Sequence, residues 1–180
     1  MTQTRQALVE HLKRVYSAYY DIQAVEDGTG LKALCAYHLR DSQYVLVKRA
    51  ELWAAESHEY LYLWSLERLD LPAVEEIFRR VLEDGEPRIT PHAQHMYTYL
   101  TAVVLYDSAD PQALAQLQKL KKRREYKLSL HGWMEFRIAA VDVSTGEIAV
   151  NRSGKILRKD LLRLTERLIS RHKKGEEKTQ

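Results

Sequence analysis

Residues 60–64 read Tyr-Leu-Tyr-Leu-Trp without a polar interruption. A strand with one wet face alternates apolar and polar side chains, whereas an unbroken apolar run needs cover on both faces. Residues 58–66 are therefore predicted as the central strand of a sheet with helices on both sides. The rest of the chain supplies the helices and strands that such a layered arrangement requires.

Leu8, Leu12, Val15, Tyr19 and Ile22 are spaced by four, three, four and three, which predicts an opening helix over 4–24 with one apolar stripe. Two glycines within 26–30 break it, and three strands are predicted at 31–39, 43–52 and 58–66. Asp70 followed by Pro72 starts a helix, because a carboxylate accepts from free backbone donors and proline costs little in a first turn. Val74, Ile77, Phe78, Val81 and Leu82 give that helix its apolar face, and Gly85 with Pro87 stops it. The β-rich composition of Tyr97 to Tyr106 favours a second buried strand over 92–106, although Thr90-Pro91 would also suit a helix start.

Residues 107–111 restart a helix carrying Leu114, Leu117 and Leu120. A strand over 131–143 then sets Met134, Phe136 and Ile138 against Trp133, Glu135 and Arg137, and 144–147 turns it into a hairpin with 148–150. Leu157, Leu161, Leu164 and Leu168 predict a last helix. The order is α-βββ-α-β-α-ββ-α, an α/β (or α+β) fold in which helices flank a mixed central β-sheet, with one domain over 1–172 and a polar tail over 173–180. A shift of 39 positions lays Pro72 on Pro111, Phe78 on Leu117 and His92 on His131, a faint echo of two strand-helix-strand units.

A chain of 180 residues buries about 70% of the surface its unfolded form exposes, so it needs no staples. One cysteine, Cys35, excludes an internal disulfide and a cysteine-rich zinc motif, and its apolar run reads as packing. There is no apolar stretch of about eighteen residues and no leader-like N-terminus, so the expectation is a cytoplasmic protein without a membrane partner.

The net charge of +3 conceals a dipole. Residues 1–110 hold 11 Lys/Arg against 17 Asp/Glu, and residues 111–180 hold 17 against 8, which makes −6 and +9. Such a layout steers a polyanion to one end or lets two copies meet head to tail. The basic half has two dense segments. Residues 119–127, KLKKRREYK, contain Lys119, Lys121, Lys122, Arg123, Arg124 and Lys127 with Tyr126 among them. On a helix Lys121 and Arg124 would fall on the apolar side set by Leu114, Leu117 and Leu120, so a regular helix should end near Lys121 and the charge should wrap around the chain. Basic residues interleaved with an aromatic suit phosphate contacts and base stacking, while a solvated helix end is the plain alternative.

The second segment, Asn151 to Lys159, carries Arg152, Lys155, Arg158 and Lys159, with Gly154 and the following helix amides able to cradle a phosphate. It is not a P-loop, because Ala149 stands where the first glycine belongs and Ile156 follows the lysine. His92 and His95 have H-x-x-H spacing, which shares a face on a helix but diverges on a strand.

The opening order α-βββ-α-β resembles the core of the PD-(D/E)xK nucleases, which carry an acidic residue and then D/E-x-K on neighbouring strands. That resemblance would place Asp41 first and Glu59 second, with Leu61 where the family has lysine. The favoured expectation is a binding or accessory module, not an enzyme, whose basic C-terminal third contacts nucleic acid or another polyanion. The alternatives are a divergent metal-dependent nuclease with Asp41, Glu59, His92 and His95 as weak ligands, and a protein that self-associates. No cofactor is expected.

Overall fold

A computed structural model describes residues 3–44 and 51–176, with side chains at 3–39 and 56–170. Its elements are α1 (Gln3–Tyr16), β1 (Asp21–Ala24), β2 (Leu31–Tyr44), β3 (Glu51–Leu69), α2 (Leu71–Gly85), β4 (His95–Ala109), α3 (Pro111–Lys119), β5 (Arg123–Glu125), β6 (Trp133–Asp142), β7 (Ile148–Val150) and α4 (Lys155–Glu176). A short 3-10 turn, Glu86–Arg88, follows α2. The mixed α/β architecture and the order of its elements match the expectation closely.

The strands of the described residues form one sheet in the order β1-β2-β3-β4-β6-β5. β1, β2 and β3 are antiparallel neighbours, and β3, β4 and β6 run parallel. β5 and β7 share the far edge, pairing antiparallel with opposite ends of β6. The parallel strands require crossovers, and α2 and α3 supply them on one face of the sheet. The faint 39-residue echo falls on these two units, with Pro72 and Pro111 in the first turns of the two helices.

The Tyr60–Trp64 run lies at the sheet's centre and is buried throughout. Alternation sends Tyr60, Tyr62 and Trp64 toward α2 and α3, where they pack with Val74, Ile77, Val81 and Leu117. Leu61 and Leu63 face the other way, toward Leu8 and Leu12 of α1 and Leu161 and Ile169 of α4. Two cores on one sheet explain why this strand has no polar face.

The helix starts follow the predicted chemistry. Asp70 caps α2, its Oδ1 accepting from the Ala73 amide at 2.9 Å. Asp110 holds the same position before α3, but its carboxylate accepts from Arg68 at 2.5 Å and leaves the side-chain cap unmade. α3 ends at Lys119, close to the predicted limit at Lys121, and Leu120 is already extended.

Three expectations are corrected. The opening helix stops at Tyr16, not at residue 24, and Ile22 pairs in β1 opposite Cys35. Tyr19, counted in the helical stripe, is 75% exposed in the turn between them. Strand pairing overrode a local period that suited either structure. The three strands predicted at 31–39, 43–52 and 58–66 are two long ones, since residues 43–44 end β2 and 51–52 begin β3. The intervening residues 45–50 lie outside the described ones. At the other end α4 continues to Glu176, into the stretch expected as a tail.

Candidate polyanion-binding cleft

The basic segment after α3 does not act as one unit, because strand alternation divides it. In β5, Arg124 turns to the α2 side, where its Nη1 donates to Glu86 Oε2 at 2.9 Å, and Lys122 Nζ stands 3.8 Å from the other oxygen of the same carboxylate. Arg123 turns to the opposite side and lies over the Trp133 ring at 4.2 Å. On that side Lys119, Lys121 and Arg123 line an open cleft of 780 Å³ together with Glu135, Arg152 and Ser153, and Lys122 borders it. The two basic segments found in the sequence therefore meet, Arg152 from the second facing Lys119, Lys121 and Arg123 of the first.

Asn151 makes them meet. It is 1% exposed, and its amide serves four backbone groups. Oδ1 accepts from the amides of Ile138 at 3.1 Å and Gly154 at 2.8 Å, while Nδ2 donates to the carbonyls of Leu120 at 2.9 Å and Phe136 at 3.4 Å. One side chain thus ties the end of α3, the middle of β6 and the approach to α4. Nothing in the local pattern marks this residue beyond asparagine's aptitude for turns and caps. Gly154 belongs to the same joint: a Cβ there would stand 2.5 Å from the Ile138 carbonyl oxygen, and its amide is already spent on Asn151. Its role is close packing, so the phosphate cradle expected at Gly154 lacks that donor.

The remaining candidates scatter. Arg158 donates to the Ile148 carbonyl at 2.7 Å and lines a separate groove with Leu114 and Leu162. Lys155 and Lys159 are exposed on the first turns of α4. Lys127 starts the β5–β6 loop, where it, Leu128 and Ser129 all have positive φ, a left-handed turn rare for L-residues.

From the cleft, the sheet surface continues along β6 and β4 as an aromatic shelf. Trp133 stacks on Tyr97 with centroids 5.5 Å apart and planes at 29°, and Tyr99 meets Trp133 edge-on at 5.4 Å. Arg137 lies 3.0 Å over the Tyr99 ring, and its Nε is buried without a hydrogen-bond partner among the described residues. Burial pushes the Tyr99 phenol up, and the nearby Arg137 charge opposes that shift. The alternation of Trp133, Glu135 and Arg137 was visible in the sequence. Its junction with Tyr97 and Tyr99 was not, because the β4–β6 register creates it. Glu135 is the carboxylate of the cleft and accepts from Ser153 at 2.8 Å.

Among the weak metal candidates His92 and His95 are neighbours, with ring centroids 6.3 Å apart, but each has other partners. Glu59 accepts from Tyr20 at 2.7 Å and Thr101 at 2.5 Å, so hydroxyl donors already occupy its oxygens. The side chain of Asp41 lies outside the described residues, but its backbone pairs with Ala55, four residues along β3 from Glu59, or roughly 13 Å at strand spacing. His95 is buried, with Nδ1 at 2.7 Å from the His131 carbonyl and Nε2 at 2.8 Å from Thr98 Oγ1. His92 Nε2 instead meets Glu56 at 3.1 Å. Among the described residues no group of three or more His, Cys, Asp or Glu is placed to hold a metal ion. Cys35 is fully buried, and burial pushes its thiol up to about 12, which suits packing and not a reactive thiolate.

A histidine cluster that sequence reasoning missed surrounds these two. His38 and His58 face each other across β2 and β3 with Nδ1 atoms 2.8 Å apart, and His58 stacks on His95 at 6.0 Å between centroids. The His58 imidazole is held below its ordinary value by burial and by the neighbouring His38 and His95, against the opposing pull of Glu56. Three strands bring these rings together, so no local spacing announces them.

The sequence from residue 4 to residue 163 matches the model of a domain of unknown function, DUF8052. The chain belongs to the DUF8052 family. That match spans the whole sheet, the Asn151 joint and the first turns of α4. No curated protein and no solved structure matches the chain. Among the described residues of this DUF8052 chain, no helix is long and apolar enough to cross a membrane.

Proposed function

We propose that this DUF8052 chain is a binding module that holds a polyanion, such as a nucleic acid, in the cleft between the end of α3 and the approach to α4. The observation that carries the reading is the convergence of Lys119, Lys121, Arg123 and Arg152 on one cleft, with Lys119, Lys121 and Arg152 having no ion-pair partner among the described residues. Like charges brought together repel, and a bound polyanion relieves that repulsion, although Arg123 is partly answered by Glu125 at 3.5 Å. Glu135 lines the same cleft, accepts from Ser153 and opposes the field in part. The nuclease alternative gains no support from Asp41 and Glu59, which no shared metal would reach at their separation along the strands.

The test is fluorescence anisotropy with labelled heparin and with oligonucleotides at several salt concentrations. Micromolar binding with a steep salt slope is expected, and replacing Lys119, Lys121, Arg123 and Arg152 with Gln should weaken it and flatten the slope. Binding unchanged in that variant would remove the cleft from the function.

A further inference from the structure

We infer that the polyanion is single-stranded nucleic acid, and that its unpaired bases stack on the shelf formed by Trp133, Tyr97 and the Arg123 guanidinium. The inference rests on the polyanion reading and adds the class of ligand. Three observations carry it. First, Tyr97, Tyr99 and Trp133 are half-buried neighbours that belong to neither of the two cores. Three aromatics on one open stretch of sheet are more apolar surface than that stretch needs for packing. Second, the shelf adjoins the cations. Arg123 lines the cleft and also lies over Trp133, so a phosphate held by Lys121 and Arg152 would leave its nucleoside over the rings. Third, the Trp133 and Tyr97 planes are within 29° of parallel, and the Arg123 guanidinium lies 4.2 Å over the Trp133 ring. A guanidinium plane and an aromatic face both accept a base, and neither requires a particular base.

A simple polyanion such as heparin uses the cations and ignores the rings. A duplex keeps its bases stacked on one another and offers the shelf nothing. A free mononucleotide satisfies the rings but engages few of the cations. A flexible single strand uses both, and a cleft of 780 Å³ suits a short segment of chain rather than a duplex groove.

The test uses the full chain and four probes: a twelve-nucleotide oligo-dT, a duplex of the same length, heparin and AMP. The expected order places the single strand tightest, and Trp133→Leu should weaken oligo-dT about tenfold while leaving heparin unchanged, since one stacked base contributes on that order. Tyr97→Leu should act in the same direction. Of the three tryptophans Trp64 is buried, so quenching of tryptophan fluorescence by oligo-dT that Trp133→Phe abolishes and Trp53→Phe retains would place the base at Trp133. Should Trp133→Leu fail to fold, Trp133→Phe and Tyr97→Leu carry the comparison. Duplex or heparin binding as tight as the single strand, or equal losses on oligo-dT and heparin in the shelf variants, overturns the stacking inference and leaves the polyanion reading standing. AMP binding as tight as oligo-dT replaces the strand with a mononucleotide. Failure of every probe at low salt overturns both readings.

Discussion

The arginines around α2 and the cations of the cleft are the same kinds of residue put to opposite use. Near α2, Arg79 pairs with Glu76 at 2.7 Å and with Glu83, Arg80 pairs with Asp27, and Arg88 pairs with Asp84 at 2.9 Å. Each charge is answered, and the Arg80 pair ties the helix to the loop before β2. In the cleft Lys119, Lys121 and Arg152 stand exposed around one cavity without such answers among the described residues. Matched pairs hold elements in register at little net gain, because exposed pairs contribute at most about 1 kcal/mol. Unmatched charges in one place cost a little stability and keep their field for something else.

The largest expected effect comes from dismantling the joint that builds the cleft. Asn151→Ala would leave backbone groups at Leu120, Phe136, Ile138 and Gly154 without their partner. Each buried group left unsatisfied costs about 1–3 kcal/mol, so a loss of about 3 kcal/mol or more is expected in urea denaturation, accompanied by loss of polyanion binding. A variant of wild-type stability would mean that water or a local shift replaces the amide. The cation variant should do the reverse, with binding impaired and stability kept. Removing Lys119, Lys121, Arg123 and Arg152 together should reduce the salt slope for a single strand by about 3, counting roughly 0.7 per contact. The same variant should match or exceed the wild type in thermal stability, because it relieves repulsion. A clear loss of stability would place these residues with the structural arginines of α2.

How much of this was legible in the sequence depends on whether a feature is local. The cap at Asp70, the restart of a helix at 107–111, the covered run from Tyr60 to Trp64 and the end of α3 near Lys121 all follow from neighbouring residues, and all were legible. β1 was not, because Ile22 and Tyr19 fit a helical stripe as well as a strand and only pairing with β2 decides between them. The basic segments were legible as charge but not as geometry. Strand alternation gives Arg124 to Glu86 and Arg123 to the cleft, and Asn151 acts on residues up to 31 positions away in sequence. The histidine cluster is set wholly by register.

That cluster yields the next prediction. His58 is held below its ordinary value in the folded state by burial, His38 and His95, opposed by Glu56, with His92 adding to the lowering. The neutral ring is therefore the form that folding favours. As pH falls through the ordinary histidine value near 6.5, the unfolded chain takes up a proton that the folded chain resists, and stability drops. The loss ends only once the folded ring protonates as well. Thermal melts between about pH 5 and 8 should show the fall below about 6.5, and His58→Asn should flatten it. A profile unchanged by that substitution would move the effect to other members of the cluster.

The smallest effect belongs to the matched charges and serves as the control for the whole comparison. Arg68 and Asp110 form a pair at 2.5 Å, with side chains 65% and 37% exposed. Solvent screens such a pair, so Arg68→Gln should change stability by less than about 1 kcal/mol in urea denaturation. It should also leave oligonucleotide and heparin affinity untouched, although it removes the same single charge as a cleft substitution. An affinity loss equal to that of Lys121→Gln would show that binding follows net charge alone. The two regions would then differ only in bookkeeping, and the cleft would have no privileged place on the surface. An unchanged affinity beside a reduced one for Lys121→Gln would locate the polyanion by position, because the two variants carry the same formal charge.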